Sequence, residues 1–273
     1  MKCVICNSDS KYFFQKKYSE SPYDKFMHEI GEVDYYKCEN CGFVLSKTHC
    51  ELNKNKWENL NYSVHNYHEN PQNLKMCNQP PYIEQAIMLL ILGKNGIINT
   101  KNMLDYAAGY GTLSMILSKY FNIKLPIYDQ YVKDGDTNKY IHKDQLAKYE
   151  TVINSAMFEH ILNREDLDNV NNLVDTNGCL IIHTVVCESI PQDPNWFYLR
   201  PPVHTAFHTN KSMEILMNQW GYHSSIYCPK SKSWILLKND IENISKVIYS
   251  INQEFQTDFL YYKKGFVDYW KGV

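Results

Sequence analysis

No stretch of this chain is apolar enough to cross a bilayer. The longest apolar run, Ala86–Leu92, is seven residues, where a span needs about 20. The N-terminus, Met1-Lys2-Cys3-Val4-Ile5-Cys6, lacks the apolar core of a secretory signal. A basic surplus is missing too. The 28 Lys and Arg against 30 Asp and Glu leave a net charge of −2, so the electrostatic footprint of a nucleic-acid or anionic-membrane binder is absent over the whole chain. Pairs such as Lys16-Lys17 and Lys230 with Lys232 read as solvated loop charge. There is no internal repeat and no low-complexity tract. The nine cysteines are odd in number; Cys77 and Cys228 stand alone and Cys179 sits in an apolar run. That excludes a secreted disulfide framework and leaves a reduced, cytoplasmic protein as the expectation, with no membrane insertion.

What is present is ordinary globular composition, 44% hydrophobic and 21% charged over 273 residues. This is enough for one α/β domain and a small accessory module. Four segments emerge. Residues 1–50 are rich in cysteine and aromatics. Residues 51–81 are rich in Asn, His and Tyr and end in Gln79-Pro80-Pro81. Residues 82–240 alternate helical and strand patterns, as a parallel sheet with crossover helices would. Residues 241–273 are expected to form a terminal helix carrying Phe255, Phe259, Tyr262, Phe266, Tyr269 and Trp270.

In the third segment, Pro81–Leu92 is predicted helical with Ile83, Ala86, Ile87, Leu90 and Ile91 on its core face. Thr112–Phe121 is predicted helical with Leu113, Ile116, Leu117 and Tyr120 at i, i+3, i+4, i+7. Strands are expected at Asn102–Tyr106, Leu125–Asp129 and Tyr149–Asn154. Another is expected at Cys179–Val186, whose nearly unbroken apolar run suits a strand covered on both faces. Between Asn154 and that strand, a helical stretch is expected to about Val174. Asn210–Trp220 is a helix stopped by Gly221. Tyr222–Tyr227 and Ser233–Lys238 read as a closing antiparallel hairpin.

Two motifs carry chemistry. Cys3-x-x-Cys6 and Cys38-x-x-Cys41 are paired knuckles, which match a closed tetrahedral Zn²⁺ site of four thiolates. Gly42 suits the tight turn after the second. With every ligand supplied by protein, the expected role of the zinc is structural. The second motif is Asp105-Tyr-Ala-Ala-Gly109-Tyr-Gly111, between a strand and a helix, followed by Asp129 at the end of the next strand. Glycines there allow close backbone approach, the helix end offers free N–H groups, and an acid after the second strand can accept ribose hydroxyls. A dinucleotide fingerprint would place a third glycine at Ser114. Asp105 suits a cofactor with a cationic amino-acid end and no pyrophosphate, which points to S-adenosylmethionine (SAM) over NAD.

Asp105–Gly111, Asp129, the strand Val152-Ile-Asn154 leading to Phe158-Glu159-His160, and Gly178–Ile182 together resemble the successive motifs of class I SAM-dependent methyltransferases, over roughly residues 82–240. The family's first loop glycine is Ala107 here. The resemblance implies a Rossmann-like, mostly parallel sheet ending in an antiparallel hairpin, behind a small zinc-binding domain. It also implies that Asp105, Ala107, Gly109 and Gly111 border the methionine part of SAM, that Asp129 takes the ribose, and that Asn154 and Ser155 line the cleft toward the acceptor. Glu159 and His160 are read as a helix start, where an acid is favoured, and not as site residues.

With the zinc ribbon in front, the chain resembles bacterial sugar methyltransferases: the nucleotide-sugar C-methyltransferases and enzymes of surface-polysaccharide clusters. The expected acceptor is a sugar or sugar nucleotide, methylated on oxygen. C-methylation of a keto-sugar and RNA modification are the alternatives, and acidity argues against the latter. The long loop with Asp193-Pro-Asn-Trp-Phe-Tyr198, Arg200-Pro-Pro202 and His204-Thr-Ala-Phe-His208 is expected on the acceptor side. His204 is the expected general base, because imidazole titrates near neutrality, and His208 is the reserve. The family's acidic residue before that His is Val203 here, which favours O-methylation. In the enzymes this chain resembles, the segment with Tyr62, His65, Tyr67 and His68 often folds over the cofactor.

Overall fold

The structure, a computed structural model, describes residues 1–69, 80–133 and 135–268. Its elements begin with β1 (Ser10–Lys16), α1 (Tyr23–Phe26), β2 (Val33–Cys38), β3 (Val44–Ser46), α2 (Lys47–Cys50) and α3 (Lys54–Glu69). There follow α4 (Tyr82–Lys94), β4 (Met103–Tyr106), α5 (Thr112–Phe121), β5 (Ile127–Tyr128), β6 (Tyr149–Ser155), α6 (Arg164–Asn171) and β7 (Val174–His183). The chain then forms β8 (Val186–Cys187), β9 (Ala206–Thr209), α7 (Asn210–Gln219), β10 (Ser224–Cys228), β11 (Ser233–Leu237), α8 (Ile244–Phe255) and β12 (Tyr261–Lys264).

Two compact units result, and they do not follow the linear segments. One unit comprises Met1–Asn78, Met157–Leu167 and Val185–Ile215; the other comprises Gln79–Ala156, Asp168–Thr184 and Leu216–Val273. The division at residue 50 therefore gives way to a first unit assembled from three stretches of chain. The reason is strand pairing: β3 pairs antiparallel with β9, joining residues 44–45 to 206–207. The first unit carries a five-stranded sheet ordered β1-β2-β3-β9-β8. Its core is largely aromatic, with Phe14, Tyr18, Tyr23, Tyr35, Trp57 and Phe207 packed around Val33, Val44 and Val64.

The second unit is a seven-stranded mixed sheet, ordered β12-β10-β11-β7-β6-β4-β5. The ladders β4·β5, β4·β6 and β6·β7 are parallel, whereas β7·β11, β10·β11 and β10·β12 are antiparallel. A mostly parallel sheet is thus half right. The added antiparallel strand is β12, which lies where the sequence suggested an unbroken terminal helix: α8 stops at Phe255 and the chain returns to the sheet edge. Tyr269 and Trp270 of that expectation, and Cys77 and Gln79 of the linker, lie outside the described residues.

The core of this unit is aliphatic. α5 buries Leu113, Ile116 and Leu117 as its periodicity required, while Tyr120 stays 66% exposed. Each such fully buried side chain contributes about 1.5–3 kcal/mol. α4 buries Gln85, Ala86, Met88, Leu89 and Leu92, and leaves Ile83 61% exposed. The expected face was the wrong one, because this helix is apolar nearly all round and its pattern does not select a side.

Candidate functional site

In the second unit the chain runs from β4 to β5 on one side, then returns to place β6 on the other side of β4. That reversal is the topological switch point at which open α/β sheets bind ligands, outside the carboxyl ends of the strands. All seven expected cofactor residues fall at the ends of these three strands. Asp105 lies in β4, Ala107, Gly109 and Gly111 in the loop after it, Asp129 just past β5, and Asn154 and Ser155 at the end of β6.

The loop is held from several directions. Gly111 has φ +78° and a Cβ there would come within 2.9 Å of Ile127 Cδ1, so the position accepts only glycine without rearrangement. Asp129 accepts hydrogen bonds from the backbone N–H of Gly109 at 2.9 Å through Oδ2, and from Tyr131 and Val132 at 2.7 and 3.1 Å through Oδ1. The Tyr140 hydroxyl donates to the Gly109 carbonyl at 2.6 Å. Asp129 therefore shapes the loop, a role its position in sequence did not reveal. Ala107, standing where the resembled family has glycine, keeps the left-handed φ of +60°. Ala156, just past β6, does likewise at +58°. Strained residues of this kind gather at functional sites.

Asp105 is buried, and its Oδ1 has no hydrogen-bond partner. Burial first, then the nearby Asp129 carboxylate, push its acid group up to about 8. A buried carboxyl with an orphaned oxygen beneath a glycine loop is matched by a cationic ligand group, which relieves both terms. Asn154 donates from Nδ2 to the Tyr106 carbonyl at 2.9 Å, tying β6 to β4, and Ser155 donates to Gln85 Oε1 at 3.0 Å.

In the first unit the four cysteine sulfurs of Cys3, Cys6, Cys38 and Cys41 lie within 4.8 Å of one another. The Cys3–Cys41 and Cys6–Cys38 sulfurs are 3.6 and 3.5 Å apart, close to the ~3.8 Å edge of a tetrahedron with 2.3 Å zinc–sulfur bonds. Backbone N–H groups of Ile5 and Cys41 point at the Cys3 and Cys38 sulfurs. The second knuckle turns on Gly42, at φ +73°, and the first on Asn7, at φ +60°. The hydrogen bond between the Cys3 and Cys41 sulfurs lowers the Cys3 thiol to about 5 and raises that of Cys41.

The expected acceptor loop folds within the same unit. His204 Nδ1 lies 2.6 Å from the Tyr198 carbonyl oxygen. A carbonyl only accepts, so Nδ1 carries the hydrogen and Nε2 holds the lone pair. Burial pushes His204 down to about 3. A lone imidazole so depressed is neutral but a weak base at neutral pH, far from the optimum for proton transfer. His208 is fully buried in β9, its ring packed between Phe43 and Phe158 with Nε2 on the Phe158 carbonyl. It serves the core, which removes it as a reserve base. Of the loop's aromatics, Trp196 packs on Phe207 while Phe197 is exposed. Arg200 faces Glu20 at 3.8 Å across open surface. Tyr62, His65, Tyr67 and His68 all lie on α3; His68 hydrogen-bonds the Tyr23 hydroxyl at 2.7 Å.

Three residues join His204 that sequence reasoning passed over. Glu159, buried, accepts from the Tyr198 hydroxyl at 2.7 Å. The His160 ring stands edge-on to His204 at 5.0 Å. Tyr198 binds both Glu159 and His204. The available signal was the adjacent Glu-His pair, four and five residues past the Ser155 strand end; a helix-start reading absorbed it. In fact only a short turn, Phe158–His160, forms there.

No family model matches the chain, and no curated protein matches it. Among solved structures, the chain is similar to SAM-dependent methyltransferases. The plantazolicin methyltransferase BpumL in complex with SAH is 11% identical over 68% of this chain and 97% of its own, with a TM-score of 0.43. An O-methyltransferase family protein from Burkholderia thailandensis is 16% identical over 59% of this chain and 57% of its own, at 0.44. Magnesium protoporphyrin IX methyltransferase from Synechocystis with bound SAH is 15% identical over 57% of this chain and 82% of its own, at 0.37. Likeness at this level carries no function; that rests on the residues above.

Proposed function

We propose that the chain is a SAM-dependent methyltransferase acting on a hydroxyl of a sugar or sugar nucleotide, with one structural zinc on its four clustered cysteines. The observation that carries the reading is Asp105: a buried carboxyl with an unpartnered oxygen, at the switch point of the sheet and beneath a two-glycine loop. The ammonium end of SAM fits that carboxyl, and nothing there calls for a phosphate partner. Gly109 and Gly111 allow close approach, and Asp129, just past β5, is the carboxylate the resemblance assigns to the ribose. Asn154 and Ser155 would border the methyl-bearing end.

SAM supplies an electrophilic methyl on a sulfonium that is already a good leaving group. The protein is left to align the acceptor oxygen and remove its proton. For the second task the resemblance points to His204, whose Nδ1–H on the Tyr198 carbonyl leaves the lone pair on Nε2. The sugar preference rests on the resemblance of the zinc knuckles and motifs to sugar methyltransferases, and the acidic net charge supports a small acceptor over nucleic acid.

The test is a panel of sugar nucleotides incubated with SAM and the protein, read by mass spectrometry. A gain of one methyl on a sugar hydroxyl is expected. Methyl transfer to RNA or peptide but to no sugar would overturn the acceptor assignment, and failure to bind SAM at all would overturn the enzyme reading.

A further inference from the structure

We infer that Glu159, His160 and His204 bind a divalent first-row transition ion, Zn²⁺ foremost, in a second metal site distinct from the four cysteines. One ligand atom from each of the three lies within 4.8 Å of the others. Modest side-chain rotation brings such a set to the ~2.0–2.2 Å bond lengths of a common ion. Two imidazoles and one carboxylate, with positions left open, make up a donor set that suits zinc or ferrous iron and not the oxygen-only preference of Mg²⁺ or Ca²⁺.

The surroundings match what metal-bound histidines require. A ligating imidazole presents one nitrogen to the ion and donates its other N–H to a carbonyl or carboxylate, which fixes tautomer and orientation. His204 meets this condition: Nδ1 donates to the Tyr198 carbonyl at 2.6 Å and leaves the lone pair on Nε2. His160 meets it in the opposite sense. It hydrogen-bonds the Val203 backbone, while its Nδ1 is buried and has no partner. A buried ring nitrogen without a partner costs free energy unless something supplies one. Glu159 is fixed by the Tyr198 hydroxyl at 2.7 Å, as ligating carboxylates commonly are. Tyr198 thus orients two of the three ligands, one with its hydroxyl and one with its carbonyl, and is a positioning residue for the site.

The two metal clusters differ in kind. The sulfur cluster supplies four ligands and is closed; this one supplies three and leaves room for an oxygen ligand. An oxygen ligand bound there would have its pKa lowered by the ion, its proton passing to solvent. The metal site stands on the first unit's geometry and does not depend on the methyltransferase reading.

Metal content of full-length protein, purified with Zn²⁺ and dialysed, is the primary test. Two zinc per chain are expected in the wild type. His204→Ala and Glu159→Gln should each carry one, and Tyr198→Phe should weaken the second site by about 10- to 100-fold. X-ray absorption at the zinc edge guards against variants that fail to fold: the wild type should show sulfur and nitrogen/oxygen scatterers together. Cobalt substitution should give a sulfur-ligated spectrum plus a weaker second component that vanishes in His204→Ala. One zinc per chain with sulfur-only scattering, unchanged in the His204 and Glu159 variants, would overturn the proposal. SAM binding with a single zinc would fault this site and leave the function reading intact; two zincs without SAM binding would do the reverse.

Discussion

The two units of this protein hold themselves together by different means. The second unit is a seven-stranded sheet closed by aliphatic side chains from Leu89, Leu117, Ile181 and their neighbours. The first is a smaller sheet with an aromatic core, buried histidines at 49 and 208, and a cysteine cluster tying its two knuckles. Hydrophobic burial scales with area and is enough for the larger unit. The smaller one adds polar networks and a metal-ready staple, as small cores generally need. The candidate sites divide along the same line: the glycine loop lies in the second unit, and the cysteine and Glu-His clusters lie in the first.

The difference is open to attack, most strongly at the cysteines. Structural zinc contributes on the order of 10 kcal/mol to the folding of such a module. Cys38→Ser, or a strong chelator, is expected to unfold the first unit. Hydrogen exchange should localise the loss to residues 1–69, 157–167 and 185–215, with protection retained in β4, β6 and β7. Unchanged protection throughout would show that the aromatic core suffices alone.

A smaller effect is expected at Asp129. Its carboxylate accepts three backbone N–H groups, so Asp129→Ala frees the glycine loop as well as removing the ribose partner. SAM affinity should fall by about 1–3 kcal/mol, measured by calorimetry, with a lower melting temperature. A loss of stability with unchanged affinity would assign Asp129 to the loop alone.

Smallest is Ala107→Gly. A left-handed conformation costs an alanine about 1–2 kcal/mol, and glycine returns part of that as chain entropy. The variant should gain up to about 1 kcal/mol in chemical denaturation. A destabilised variant would mean that the alanine methyl packs to advantage.

Legibility followed the same division. In the second unit, α5 fell at Thr112–Phe121 as its spacing implied, and β4, β6, β10 and β11 fell within a residue or two of their apolar runs. Failures arose where local pattern was degenerate: α4 is apolar on every side, and β12 follows a helix whose amphipathic signal hid the turn back to the sheet. In the first unit the knuckles were legible because metal ligation fixes spacing within a few residues. The pairing of β3 with β9, and the meeting of Glu159 and His160 with His204, were not. They join residues far apart in sequence through tertiary contacts that leave no period to read. His208 misled for a related reason: a histidine in a strand carries no mark of whether its ring faces a ligand or a phenylalanine.

The central claim is that Asp105 waits for the cationic end of SAM. In the free protein its acid group stands near 8, well above its unfolded value of about 3.9. Stability from the protonated form is therefore full below about pH 4 and declines as pH rises through 8. A bound ammonium would reverse the shift, so SAM binding near neutral pH must expel a proton from Asp105. Calorimetry of SAM binding in buffers of different ionisation enthalpy measures this directly. Release approaching one proton is expected, with affinity rising from about pH 6 toward 8, and both should vanish in Asp105→Asn. Binding without proton release, or with Asp105→Asn affinity unchanged, would contradict the account.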